Sequence, residues 1–227
     1  MKPITPDLFA DPELFSDHPE AGGPRIAPLA PGAAVLRGFA RAQGAELVDL
    51  VAALTAQAPF RRMLTPGGRP MSVAMTNCGE RGWVSDAEGY RYAAHDPQRG
   101  QPWPAMPAPL LELATAAAAA AGFAGFAPDA CLINRYAAGA RMGLHQDRDE
   151  RDLTQPIVSI SLGLPAVFLF GGLHRTGGTQ RVALFHGDVV VWGGPARLAF
   201  HGVAALKPGQ HALTGPYRYN LTLRRAG

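Results

Sequence analysis

Two short motifs in this 227-residue chain pair an imidazole with a carboxylate: His145-Gln146-Asp147 and His186-Gly187-Asp188. In an extended segment residues i and i+2 project to the same side, so a His-x-Asp offers both groups to one ion. A third ligand from a distant strand would complete a two-histidine, one-carboxylate facial triad, which leaves positions on Fe(II) open for oxygen and a co-substrate. The chain has seven histidines: His18, His95, His145, His174, His186, His201 and His211. His201 stands 54 residues after Asp147, enough chain to cross a β-sandwich and return, but only about one hairpin after Asp188. His186-Gly187-Asp188 also runs directly into Val189-Val190-Val191, where His-Gly-Asp reads as a strand-entry turn. We therefore take His145, Asp147 and His201 as the metal ligands and His186 and Asp188 as structural.

The segment Arg218-Tyr219-Asn220-Leu221-Thr222-Leu223-Arg224 adds a second kind of chemistry. Strand alternation puts Arg218, Asn220, Thr222 and Arg224 on one face and Tyr219, Leu221 and Leu223 on the other. Read alone, this is an ordinary amphipathic strand with its polar face in water. Beside a metal motif it reads differently: guanidinium groups on an inward face need an anionic partner and match a carboxylate in bidentate geometry. A dicarboxylate co-substrate would meet that need. In Leu132-Ile133-Asn134-Arg135-Tyr136 the same alternation groups Asn134 with Tyr136, adding hydrogen-bonding capacity for a bound acid.

These residues need a scaffold. Short β-rich runs follow one another through the C-terminal half, at residues 130–136, 157–162, 167–170, 182–185, 188–192, 198–203 and 218–224, bounded by Gly and Pro clusters. That rhythm predicts a two-sheet sandwich or jelly roll. Helices precede it and would cover one sheet: Leu47, Val48, Val51 and Leu54 keep helical spacing until Pro59, and a second helix runs from about Leu110 to Ala121 and stops at Gly122. Between the helices, residues 61–104 carry the turn signals Thr65-Pro66-Gly67-Gly68, Asn77-Cys78-Gly79 and Glu88-Gly89, so they read as paired short segments forming a flap over a site. Residues 1–33, rich in Pro, Gly and Ala, read as an irregular arm, leaving residues 34–227 as a single domain.

Composition narrows the functional classes without choosing one. A hydrophobic fraction of 47% fits one globular domain. A formal net charge of +3 with a pI near 9.1 permits a polyanionic partner. Cys78 and Cys131 lie far apart with no C-x-x-C, which argues against a disulfide framework or a cysteine zinc site and for a reducing, cytoplasmic setting. No run has the length and character of a signal peptide or a membrane span; Ala114 to Ala121 is too short. A monomer is the default, as no heptad or long amphipathic helix asks for a partner.

Taken together, Asn134-Arg135-Tyr136, His145-Gln146-Asp147, His201 and Arg218 to Arg224 resemble the AlkB family of Fe(II)- and 2-oxoglutarate-dependent dioxygenases. The likeness extends through Thr65-Pro66-Gly67-Gly68, Met71 to Gly79, Trp103-Pro104-Ala105-Met106-Pro107 and Gly187 to Gly194, covering nearly everything from about residue 33 onward. The resemblance implies a mainly β fold with flanking helices, the double-stranded β-helix. It implies Fe(II) on His145, Asp147 and His201, with O2 and 2-oxoglutarate as co-substrates and the acid held by Asn134, Tyr136, Arg218, Asn220 and Arg224. It further implies oxidative demethylation of 1-methyladenine or 3-methylcytosine in DNA, single- or double-stranded, with RNA as a further substrate. Trp83, Tyr90, Asp149, Glu150, Ser159, Arg175 and Trp192 fall at or near positions that hold the damaged base or its phosphates. Enzymes acting on a base must take it out of the stack, and Trp83 and Tyr90 on the flap suit that task. Arg61, Arg62, Arg69, Arg81 and Arg91 would give the flap a positive field. Ala196 and Ala199 stand where the family carries a hydroxyl and an aromatic side chain, which shifts the expected base pocket. Two rivals remain: a dioxygenase acting on RNA, protein or a small molecule, and a nucleic-acid-binding jelly roll with a structural ion.

Overall fold

The computed structural model describes residues 25–227. Its frame is two antiparallel sheets facing each other. The larger has seven strands: β1 (Arg25–Ala30), β2 (Ala33–Arg37), β11 (Val189–Trp192), β8 (Ile157–Gly163), β13 (Arg218–Arg224), β6 (Ala130–Tyr136) and β3 (Ala74–Gly79), in that spatial order. The smaller has four, ordered β10 (Gln180–Leu184), β9 (Ala166–Phe170), β12 (His201–Val203) and β7 (Met142–His145). A separate hairpin pairs β4 (Gly82–Asp86) with β5 (Gly89–Ala93). The jelly roll expected from the strand rhythm is present.

Each central strand of the large sheet is buried on both faces, and alternation sorts its side chains between two cores. Leu132 and Tyr136 of β6, Ile157 of β8 and Val190 and Trp192 of β11 pack inward with Phe168 and Phe170 of β9. Cys131 and Ile133, Val158, Ile160 and Leu162, Val189 and Val191, and Leu221 and Leu223 face outward. The outer core is roofed by α1 (Gly44–Gln57), which buries Leu47, Val51 and Leu54, and by α2 (Ala108–Ala120), which buries Leu110, Leu113, Ala114, Ala117 and Ala118. The small side chains of α2 let its backbone lie close to the sheet. Pro107 and Pro109 open that helix, where a missing N–H is not felt.

The structure departs from expectation in three places. The irregular arm was expected to reach residue 33; residues 1–24 of it lie outside the described residues, but Arg25 onward forms β1, paired with β2 by a tight turn at Gly32. Asn77-Cys78-Gly79, expected as a turn, is the end of β3, with Cys78 opposite Cys131 and Gly79 opposite Ala130 of β6; Gly79, the last residue of the strand, has φ +110. The flap is thus narrower than residues 61–104: β3 belongs to the main sheet, and the free-standing part is the β4–β5 hairpin. His186 and Asp188 are structural, as expected. His186 Nδ1 accepts the Gly163 N–H at 3.1 Å, while Asp188, fully buried, takes Arg37 at 2.7 Å and the amides of Gly38 and Phe185.

Candidate active site

The strand pairing itself assembles the metal ligands. β12 lies antiparallel to β7 with His201 directly opposite His145, and Asp147 follows two residues after the end of β7. Gly202 permits this approach, because a Cβ there would sit 2.7 Å from the Met142 carbonyl oxygen. The result is a cluster in which the three ligand atoms lie within 4.8 Å of one another. His145 Nε2 is 3.6 Å from Asp147 Oδ1 and His201 Nε2 is 3.8 Å from Asp147 Oδ2. His145 Nδ1 faces the Gly143 carbonyl at 2.9 Å and His201 Nδ1 the Ala199 carbonyl at 3.0 Å. A carbonyl only accepts, so each Nδ1 carries a proton and each ring turns its Nε2 toward the cluster.

Electrostatics prepares the same donor set. Burial acting alone would raise the Asp147 carboxyl, but Arg224, then His201 and His145, hold it well below the usual carboxylate range. Burial, aided by His145, lowers His201 from 6.5 to about 4, so its imidazole is neutral at physiological pH. Two imidazoles, that of His201 held neutral, and one ionised carboxylate suit a divalent iron.

Around the triad runs a cavity of about 550 Å³. Arg218 lies in its wall, 1% exposed, with Nη2 donating to Ser161 Oγ at 3.0 Å and the guanidinium 5.1 Å from the Tyr136 ring centre. Its Nε and Nη1 have no hydrogen-bond partner among the described residues. Two orphaned donors of a buried cation fit a carboxylate ligand closely, since unpaired they cost several kcal/mol of desolvation, on the order of 2–7. Next to it Asn220 donates to Ser159 Oγ at 2.7 Å and the Ile160 carbonyl at 3.2 Å, and accepts from Thr222 at 3.0 Å and Asn134 at 3.2 Å. Asn134 Oδ1 is left unpartnered.

Arg224 lies on the inward face that alternation assigned to it and lines the cavity with Arg218, Asn220 and Thr222. Its Nε and Nη2 both donate to Asp147 Oδ2, at 2.8 and 2.6 Å, so what it holds is the metal-ligating carboxylate. Alternation assigns a face but not a depth: six residues along a strand carry Arg224 about 20 Å from Arg218. Both arginines thus line the cavity, Arg218 with two donors unengaged among the described residues and Arg224 with Nε and Nη2 engaged on Asp147.

Among the residues expected to meet the base, Trp83, Tyr90, Asp149, Ser159, Arg175 and Trp192 all line the cavity. Trp83 and Tyr90 stack with centroids 5.5 Å apart at 15°, and Trp83 Nε1 donates to Asp149 Oδ2 at 2.9 Å. Glu150 does not reach the cavity. Its side chain is 2% exposed and is taken by Arg197 at 3.0 Å, Arg224 at 3.4 Å and the Tyr92 hydroxyl at 2.7 Å. Two of the flap arginines are also spoken for: Arg61 pairs with Asp96 at 2.6 Å beside Trp103, and Arg91 with Asp86 and Glu88. Ala196 and Ala199 are buried in the core between the sheets.

Sequence reasoning missed Asn77, Ser161, Tyr92 and Arg197. Asn77 grips the Trp83 backbone with both ends of its amide, at 3.0 Å each. Arg197, 3% exposed, donates to the Asp147 carbonyl at 2.7 Å, to the Gln155 carbonyl at 2.9 Å and to Glu150. These contacts join distant segments. Only Ser161 left a sequence signal, its inward alternation with Ser159 on β8.

A facial His-Asp-His cluster at one end of a jelly roll, beside a buried arginine that has no acidic partner among the described residues, defines a non-haem iron oxygenase that takes an acidic co-substrate. Comparison with known proteins agrees. The 2OG-Fe(II) oxygenase superfamily model matches residues 32–224. The alpha-ketoglutarate-dependent dioxygenase AlkB of Salmonella typhimurium is 56% identical over 97% of this chain and 97% of its own length, and that of Escherichia coli is 54% identical over 97% and 98%. The solved structure of OsALKBH1 superimposes with a TM-score of 0.79 at 28% identity, covering 88% of this chain and all of that one. The chain belongs to the 2OG-Fe(II) oxygenase superfamily and, within it, to the AlkB-type alpha-ketoglutarate-dependent dioxygenases, which use Fe(II), 2-oxoglutarate and O2.

Proposed function

We propose that the protein repairs alkylated nucleic acid, removing methyl groups from ring nitrogens of bases such as 1-methyladenine and 3-methylcytosine in DNA, with RNA as a further substrate. The observation that carries this reading is the stacked Trp83–Tyr90 pair, bridged to Asp149, in the wall of the cavity that holds the triad. An aromatic plate at a metal-containing pocket suits a base swung out of its stack, and a carboxylate beside it accepts the exocyclic N–H of adenine or cytosine.

His145, Asp147 and His201 would hold Fe(II). Arg218 takes the distal carboxylate of 2-oxoglutarate on its two unpaired donors, within the polar wall of Tyr136, Asn134 and Asn220. When bound, Fe(II) with 2-oxoglutarate and O2 supplies the oxidising chemistry that hydroxylates the methyl carbon, yielding succinate and carbon dioxide. The protein's own work is placement. Trp83 and Tyr90 fix the ring plane, Asp149 fixes its rotation, and Ser159 and Trp192 bound the pocket beneath. Exposed Arg141, Arg148 and Arg175 ring the opening, where they suit flanking phosphates. The hydroxymethyl group left on the ring nitrogen then collapses to formaldehyde and the repaired base.

No helix among the described residues is long and apolar enough to cross a membrane. Both cysteines are free and buried, in keeping with our reading of a monomer working in a reducing cytoplasm. Parallel assays with N-methylated DNA, RNA and peptide test the substrate class. Formaldehyde release from the oligonucleotides alone is the expected result; release from the peptide alone would overturn the reading.

A further inference from the structure

The nucleotide-facing side of the β4–β5 hairpin presents two donors to two consecutive acidic residues. Trp83 and Tyr92 are register partners, so their side chains stand on one face. Trp83 Nε1 reaches Asp149 at 2.9 Å, and the Tyr92 hydroxyl reaches Glu150 Oε1 at 2.7 Å. The two links differ in setting: the first is solvent-exposed, whereas the second enters a buried charge network. Glu150 Oε1 lies 3.4 Å from Arg224 Nε, and Arg224 clamps Asp147 Oδ2 with two donors. Glu150 Oε2 takes Arg197, which also holds the Asp147 carbonyl. From the hairpin to the metal-ligating carboxylate there is an unbroken path: Tyr92, Glu150, Arg224, Asp147.

We propose that Glu150 is not a base contact but, with Tyr92, a positioning device that couples the hairpin to the metal centre. Holding the metal and holding the hairpin then share one network, and the coupling is reciprocal. Metal on Asp147 fixes Arg224 and hence the Glu150 oxygen that Tyr92 grips. A closed hairpin in turn keeps Glu150 from drawing Arg224 away from Asp147. The device would ensure that oxidation occurs only when Trp83 and Tyr90 hold the base in register. The inference rests on the base-oxidation reading only for its final readout.

The test uses Tyr92→Phe, which keeps the ring and removes one hydroxyl, and Mn(II) with 2-oxoglutarate, which loads the site without turnover. Amide exchange across Gly82–Ala93 is expected to slow on loading in the wild type. In the variant that protection is lost, with loaded-state exchange roughly tenfold faster, the size expected for one hydrogen bond to a charged acceptor, while β6 and β13 are unchanged. Glu150→Gln removes the charge opposing both arginines and is expected to weaken Mn(II) binding, read by electron paramagnetic resonance. These arms need no nucleic acid, so a wrong substrate assignment would leave them intact. With methylated oligonucleotide and Fe(II), Tyr92→Phe should lower formaldehyde formed per succinate several-fold. Unchanged hairpin protection in Tyr92→Phe, or both products falling at a constant ratio, would overturn the coupling. So would a Glu150→Gln protein that binds Mn(II) normally and shifts only its preference between adenine and cytosine lesions.

Discussion

At Arg218 two guanidinium donors are buried without a partner, and the consequences for stability and for binding run in opposite directions. Replacing a buried unpaired charge with an apolar side chain of similar length removes a desolvation penalty, whereas co-substrate binding loses its anchor. Arg218→Met is therefore expected to raise the urea midpoint of the ligand-free protein while raising the KM for 2-oxoglutarate by roughly a hundredfold, the worth of two charge-assisted hydrogen bonds. A midpoint that falls would show that the guanidinium has a counter-ion within the fold. The metal ligands separate in a similar way. His145→Ala and Asp147→Ala should both abolish turnover, but the His145 side chain is 36% exposed while Asp147 is the buried partner of Arg224. Only Asp147→Ala takes from a buried cation its nearest carboxylate, leaving Arg224 with Glu150 at 3.4 Å, and it should lower stability by about 3 kcal/mol in denaturant titrations, against less than about 1 for His145→Ala.

Elements explain what could and could not be read ahead of the structure. The acid-binding wall lies on strands whose sequences alternate cleanly, β6 and β13, and the pleat alone told which of their residues face inward. The triad was legible because His-x-Asp needs only an extended segment, and because His201 has the chain length to return beside it. β1 and β2 were not, since Pro28 and the alanines of Ala27, Ala30, Ala33 and Ala34 give no period-two signal; β2 exists because β11 supplies its partner. Glu150 was expected at or near the damaged base or its phosphates, and only the fold brings Arg197, Arg224 and Tyr92 around it. Asn77 was read as part of a turn, yet it is 1% exposed and fastens the hairpin strand that carries Trp83. Asn77→Ala is expected to cost about 1–3 kcal/mol and to raise the KM for methylated oligonucleotide several-fold. The KM for 2-oxoglutarate should not move; a parallel rise in both would place Asn77 in general folding rather than in setting the hairpin.

Across the whole molecule, stability should follow the histidines that the fold keeps neutral. His186 and His211, with ring centres 4.7 Å apart, are both held below their ordinary 6.5, chiefly by burial and for His186 also by the other's charge. Below about pH 6.5 the unfolded imidazoles take up protons before the folded ones do, so the unfolded state binds more protons and stability falls as pH falls. Stability from this pair is complete above about 6.5 and declines toward pH 5, and protonating His186 Nδ1 also ends its bond from the Gly163 amide. The urea midpoint should drop between pH 7 and pH 5, less steeply in His186→Asn, whose side-chain oxygen can accept without titrating. An equal slope in that variant would remove His186 from the account. The same molecule-wide view joins the parts of the site: one sheet carries the acid anchor, the other pairs the two histidines, and the hairpin brings the aromatic plate to the cavity between them.

The most direct test of that arrangement is to measure succinate and formaldehyde together from purified protein given Fe(II), ascorbate, O2 and 2-oxoglutarate, with and without an oligonucleotide bearing 1-methyladenine or 3-methylcytosine. The account predicts formaldehyde only when both the lesion and 2-oxoglutarate are present, in step with succinate. Succinate without formaldehyde on either lesion would contradict the assignment of the substrate, and neither product from iron-loaded protein would contradict the active site itself.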